Sequence, residues 1–182
     1  YDAGVIAARL LTDRLSPTSD ILMARIVHSG KNDSNQGKNR RDGFCHYLKE
    51  VGFSGKLHEV ELKISDSVYN FAKLNEIFEL NPGIKGAIIF NSTCYILGNY
   101  LKAREMQAVK LVGYDLIERN TQLLSEGVIT ALIAQRPERQ GYEGIKSLCN
   151  YLLFKQKSEK VNLMPIDILL RENLKYYLNN KL

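Results

Sequence analysis

The chain has 182 residues, 45% of them hydrophobic, with a formal net charge of +5 and a sequence pI near 9.0. That apolar share supports one sizeable core or two small lobes, and no apolar run approaches the roughly 18 residues of a membrane span. Apart from Lys38, Arg40 and Arg41 the basic residues are scattered, so the positive surplus does not define a nucleic-acid surface. Cys45, Cys94 and Cys149 show no CxxC spacing, and each sits near apolar or aromatic neighbours. They read as unpaired, mostly buried thiols, and their odd number fits a reducing compartment.

Tyr1 and Asp2 lead straight into an amphipathic helix pattern over 4–15, with no initiator methionine or signal peptide before it. The chain is expected to be cut from something longer. Asp2 suits the helix cap, Val5, Ile6, Leu10 and Leu11 form its apolar positions, and Ser16 and Pro17 end it. Residues 21–27 are the first strand candidate. The polar stretch 28–39, with two glycines, reads as a loop, and Arg40 or Arg41 then opens a helix with Phe44, Leu48 and Val51 inward and Gly52 at its end.

Residues 56–64 alternate like a strand near a sheet edge. Asp66 caps the next helix, whose Val68, Phe71, Leu74 and Phe78 recur at helical spacing until Asn81, Pro82 and Gly83 stop it. A strand at 84–90, a helix at 95–106 and a strand at 109–114 follow, and Leu116 can open another helix. Residues 128–134 form a short apolar strand. A helix spans 137–153 with Tyr142, Ile145, Leu148, Cys149 and Leu152 inward, then a charged turn at 155–160, a last strand at 165–170 and a terminal helix at 172–178. The regular alternation predicts an α/β fold with a doubly wound parallel sheet covered on both faces. Right-handed crossovers bring the carboxyl ends of its strands to one edge, where open α/β sheets bind ligands.

Four polar residues fall at element ends on that edge: Arg40, Asn91, Asp115 and Gln135. One obligate acceptor, one five-donor fork and two amides suit a neutral polyol, because a sugar hydroxyl both donates and accepts. Each has a plainer reading as well. Asp115 can cap the segment after it, Arg40 can be a solvated or locally paired charge, and Asn91 and Gln135 can satisfy nearby backbone. His28, His46 and His58 form neither HxxH nor HExxH, so no metal centre is expected. Ser29, Ser92 and Ser125 lack the GxSxG elbow. The run GKNDSNQGKN lacks the order of a phosphate loop, and no glycine fingerprint follows the first strand. An enzyme and a cofactor are therefore not expected.

Several segments in order resemble one family, the periplasmic-binding-protein-like effector domain (type I) of LacI-type bacterial transcription regulators. They are D-x-G-x-x-A-x-x-L from Asp2 to Leu10, R-R-D-G-F from Arg40, I-I-F-N-S ending at Ser92, V-G-Y-D ending at Asp115, T-A-L-I-A-Q ending at Gln135 and R-Q-G-Y-E-G from Arg139. The resemblance implies Rossmann-like lobes closing over a small ligand, with three crossings between them. It assigns 1–134 to the carboxyl-terminal lobe, 135–160 to a helix contributed to the amino-terminal lobe, and 161–182 to a return strand and terminal helix. It makes Arg40, Asn91, Asp115 and Gln135 ligand-binding, the effector a sugar or sugar derivative, and the protein a cytoplasmic homodimer. Operator DNA would be bound through an upstream domain, with no membrane involved. The rival reading is a periplasmic sugar-binding protein of a transporter, which uses the same cleft.

Overall fold

Strand and helix alternate along the chain in the computed structural model, which describes residues 1–27 and 34–179. The elements are α1 (Asp2–Thr12), β1 (Asp20–Ile26), α2 (Asn35–Glu50), β2 (Leu57–Leu62), α3 (Ser67–Leu80), β3 (Ile84–Ile89), α4 (Tyr95–Ala103), β4 (Lys110–Tyr114), α5 (Glu118–Ser125), β5 (Ala131–Ala134), α6 (Pro137–Phe154), β6 (Asp167–Leu169) and α7 (Leu174–Asn179). One sheet runs in the order β2-β1-β3-β4-β5-β6. The first five strands are parallel, and β6 pairs antiparallel to β5 with Asp167 opposite Ala134. Strand order reverses between β1 and β3, a topological switch point of the kind that opens a crevice at carboxyl ends.

Successive strand residues feed opposite cores, as the two-residue period of a strand demands. Ile21, Met23, Ile88, Val112 and Tyr114 pack with α1 and α2. Leu22, Ala24, Ile89, Leu111 and Leu132 pack with α3, α4 and α5 on the other face. Strand β2 lies at the sheet edge, where only Val60 and Leu62 are buried.

Side-chain caps set the starts of α2 and α3. Asp66 accepts the Tyr69 N–H at 2.9 Å and starts α3 as the sequence predicts. Val68, expected inside, is 81% exposed, and Asn70 takes a buried place by bonding both backbone groups of Lys63. Asp2 lies in the first turn of α1 instead of capping it; Tyr1 holds the cap position, and Asp2 contributes its charge to the helix N-terminus. Helix α2 begins at Asn35, not at Arg40 or Arg41, because the Ser34 side chain accepts from Gly37 N–H at 3.1 Å. Residues 28–33 of the expected loop, His28 and Ser29 among them, lie outside the described residues. The cysteines differ too: all are free, but Cys94 is buried, Cys45 half-buried and Cys149 exposed.

Two glycines set the distance between α1 and α2. A Cβ at Gly4 would stand 1.8 Å from the Arg40 carbonyl oxygen, and one at Gly43 would stand 2.2 Å from the Tyr1 carbonyl oxygen. Neither clash involves a side chain that can swing away, so the helices touch backbone to backbone and hold Arg40 over the sheet. Gly4→Ala should therefore lower stability by roughly 3 kcal/mol, at the upper end of ordinary overpacking. Urea unfolding reads this directly, and an unchanged midpoint would contradict the close crossing.

Helix α6 stands apart, since none of its residues is buried. Tyr142, Ile145, Leu148, Cys149 and Leu152, read from their spacing as inward, are all exposed. The helical period is real, but it only says that the stripe needs a partner; within this chain the sheet does not provide one.

Candidate functional site

The carboxyl ends of β3, β4 and β5 meet the first turns of α2 and the loop before α6. Arg40, expected on the rim, lies beneath it and is 3% exposed. Its Nη1 donates to the Phe90 carbonyl at 2.9 Å, and its guanidinium sits 4.1 Å from the centre of the Tyr114 ring. The Tyr114 hydroxyl donates to the Ala3 carbonyl at 3.1 Å, tying this stack to α1. Arg40 Nε has no hydrogen-bond partner among the described residues. Burial lowers the Arg40 pKa and the neighbouring Asp115 charge offsets part of that, but a guanidinium keeps its proton.

Asp115 closes β4 with φ at 66°, a left-handed conformation that asparagine and aspartate adopt more readily than other side chains. Its N–H donates to the Ile133 carbonyl at 3.0 Å. Burial raises its carboxyl above the ordinary value and Arg40 draws it back. The carboxylate is thus the acceptor on the cleft wall, with a cation buried behind it.

Gln135 follows β5, and its Oε1 accepts from Gln36 Nε2 at 2.9 Å. Gln36 sits one helical turn before Arg40 on α2, so one helix face serves both the cleft and its floor. Spacing alone does not reveal it, because the composition up to Asn39 is that of a loop. Gln36, Ser92, Asp115 and Gln135 line one cleft of about 990 Å³. Asn91 lines an adjoining hollow of about 820 Å³ that meets the cleft at Ser92 among the described residues. Its Oδ1 accepts from Thr93 N–H and Oγ1 at 2.9 and 2.6 Å, the local turn role that its position allowed.

At the cleft's far end, Arg136 in the left-handed region starts α6. It donates through Nε and Nη2 to the two oxygens of Asp167 at 2.6 and 2.8 Å. This fork joins the segment that leaves the sheet to the one that returns. Among the described residues no group of three or more His, Cys, Asp or Glu is placed to hold a metal ion, and no helix is long and apolar enough to cross a membrane. What the cleft offers is a set of donors and acceptors around the half-buried Asp115 carboxylate, with the Arg40 cation buried beneath.

Fold and cleft together define an α/β lobe of the type I periplasmic-binding-protein kind. The chain belongs to the periplasmic binding protein domain family, which matches residues 1–156. It closely resembles a Bacteroides fragilis protein assigned as a LacI transcriptional regulator, at 39% identity and a TM-score of 0.90 over 97% of this chain and 61% of that one. An ABC transporter solute binding protein from Agrobacterium vitis, bound with α-D-tagatopyranose, shares the fold at 19% identity and TM-score 0.76, covering 94% of this chain and 56% of that one. A carbohydrate transporter solute binding protein from Agrobacterium radiobacter, in complex with D-arabinose, does so at 22% and 0.77, covering 95% and 59%. This chain therefore spans about three fifths of the length of such relatives. No curated protein matches it.

Proposed function

We propose that this chain is the effector-binding and dimerisation part of a LacI-type transcription regulator, which takes a sugar or sugar derivative in an interlobe cleft and adjusts operator binding through an upstream domain. The observation that carries the reading is the wall of Asp115, Gln135, Ser92 and Gln36 at the strand ends, with Arg40 charged behind it. A carboxylate and amides in a cleft of about 990 Å³ match the hydroxyls of a monosaccharide in chemistry and scale. The 39% identity to a regulator, against 22% or less for the two transport proteins compared, favours the regulatory reading over a periplasmic binding protein. A cytoplasmic homodimer without cofactor follows from the same reading. Titration calorimetry of the whole protein with D-arabinose, D-tagatose and D-allose tests it. Binding of at least one is expected, whereas heat of dilution alone for pentoses and hexoses would remove the sugar assignment. A helix-turn-helix in the upstream coding sequence supports the regulator; a signal peptide there supports the transporter protein.

In this proposal residues 1–134 form the carboxyl-terminal lobe, 135–160 send α6 to an amino-terminal lobe, and 161–182 return. The uncovered apolar face of α6 supports it. Leu148→Glu with Leu152→Glu should then reduce self-association of this chain in sedimentation, and identical profiles would count against a docking face there. Gln36→Ala tests the cleft rim. Gln36 is exposed, so stability should hold while sugar affinity falls by about fivefold, the worth of one neutral hydrogen bond near 1 kcal/mol. Unchanged affinity places the ligand elsewhere.

A further inference from the structure

The rim holds its shape although two of its parts are locally unfavourable. Asp115 keeps a left-handed backbone without being glycine, and α4 starts at Cys94 with no side-chain cap. One residue answers both. Asn120, on the first turn of α5, is 0% exposed, and its Oδ1 accepts the Tyr95 N–H at 2.9 Å. Its Nδ2 donates to the carbonyls of Ser92, Tyr114 and Asp115 at 2.9, 3.0 and 3.1 Å. An amide has two such protons, so three acceptors mean one shared bond, and the group is saturated. These bonds span the β3–α4 loop, the end of β4 and α5. Gly113 beside them admits the same close approach, since a Cβ there would lie 2.3 Å from Cys94 Sγ.

We infer that Asn120 is the positioning residue of this site: its buried amide fixes the backbone at Ser92 and Asp115, so that the cleft-facing side chains keep one spacing. Its functional meaning rests on the cleft being the ligand site, but its structural content does not. A shorter side chain cannot reach both the helix and the strand end, and a water in the space it leaves is not covalently tied to α5, so it cannot hold the strand end to that helix as the amide does. With Asn120 gone, Asp115 is released toward extended backbone and its carboxyl toward solvent.

The test uses this chain with labelled aspartate in NMR, in the wild type and in Asn120→Ala. The variant should show an Asp115 titration that falls back toward the ordinary carboxylate range and an Asp115 N–H to Hα coupling that leaves the left-handed value. A folded N120A protein with both unchanged overturns the inference and leaves Asn120 as a cap of α4 alone. Should N120A not fold, Asn120→Asp keeps the acceptor for Tyr95 and loses the donors, and the coupling is read there. In the wild type the Asn120 side-chain NH2 should exchange with solvent far more slowly than an exposed amide; ordinary exchange overturns the inference without any variant. A D-arabinose titration of the whole protein adds the functional arm, with affinity at least roughly tenfold weaker in N120A. If the wild type binds no sugar, the reading of the cleft fails while the NMR arms still judge Asn120.

Discussion

Replacing Asp115 by asparagine should make the fold more stable at neutral pH and the cleft worse at holding a sugar. Burial raises the Asp115 carboxyl, and the attraction of Arg40 does not cancel it. A carboxyl whose folded pKa lies above its unfolded value adds no penalty while protonated in both states. The penalty enters as pH rises past the ordinary 3.8 and is complete above the raised folded value. Asparagine stays neutral, as the protonated acid does, and its backbone tolerates φ near 66°. D115N should therefore unfold at higher urea than wild type at pH 7, with the difference vanishing below the ordinary carboxylate value. The same substitution removes a charged acceptor for ligand hydroxyls, worth about 1.5–3 kcal/mol, or roughly 10- to 150-fold in affinity. Wild-type affinity should likewise fall with pH as Asp115 takes up its proton. A D115N protein that is less stable at pH 7, or that binds as well as wild type, contradicts this account.

Arg40→Met should be costly. The guanidinium is the partner of the Phe90 carbonyl, the cation over Tyr114 and the charge facing Asp115. Methionine fills most of the space but leaves the Phe90 oxygen without its donor and the half-buried Asp115 carboxylate without the cation behind it. Leaving a buried acceptor without its donor costs about 1–3 kcal/mol. A value near the upper bound, about 3 kcal/mol, is expected because the cation over Tyr114 is lost together with the hydrogen bond. Adding D115N should recover part of the loss, since the stranded charge is then gone. The double-mutant cycle in urea measures that coupling, and strictly additive losses would show that the two residues act independently.

Much of the cadence of the chain, and the cap at Asp66, is legible in the sequence. Strand alternation placed the edge strand β2, Asp66 announced α3, and the strand ends singled out Asp115 and Gln135. These signals work because they act within one or two turns of their own element. The start of α2 was hidden: Ser34 and Gly37 form a cap inside a run whose composition looks like loop. The polar type of Arg40 points to the rim, whereas the Gly4 and Gly43 crossing presses it beneath.

The amino-acid sequence by itself determined the cadence of strands and helices, the apolar stripe on α6 and the residue types available at the strand ends. Tertiary structure alone decided that β6 runs antiparallel to β5, that the stripe finds no partner in this chain, and which side chains meet. Gln36 and Gln135 are 99 positions apart, and Asn120 joins Ser92 across 28. Such pairings carry no local period; they exist only once the strand order β2-β1-β3-β4-β5-β6 brings distant loops to one edge.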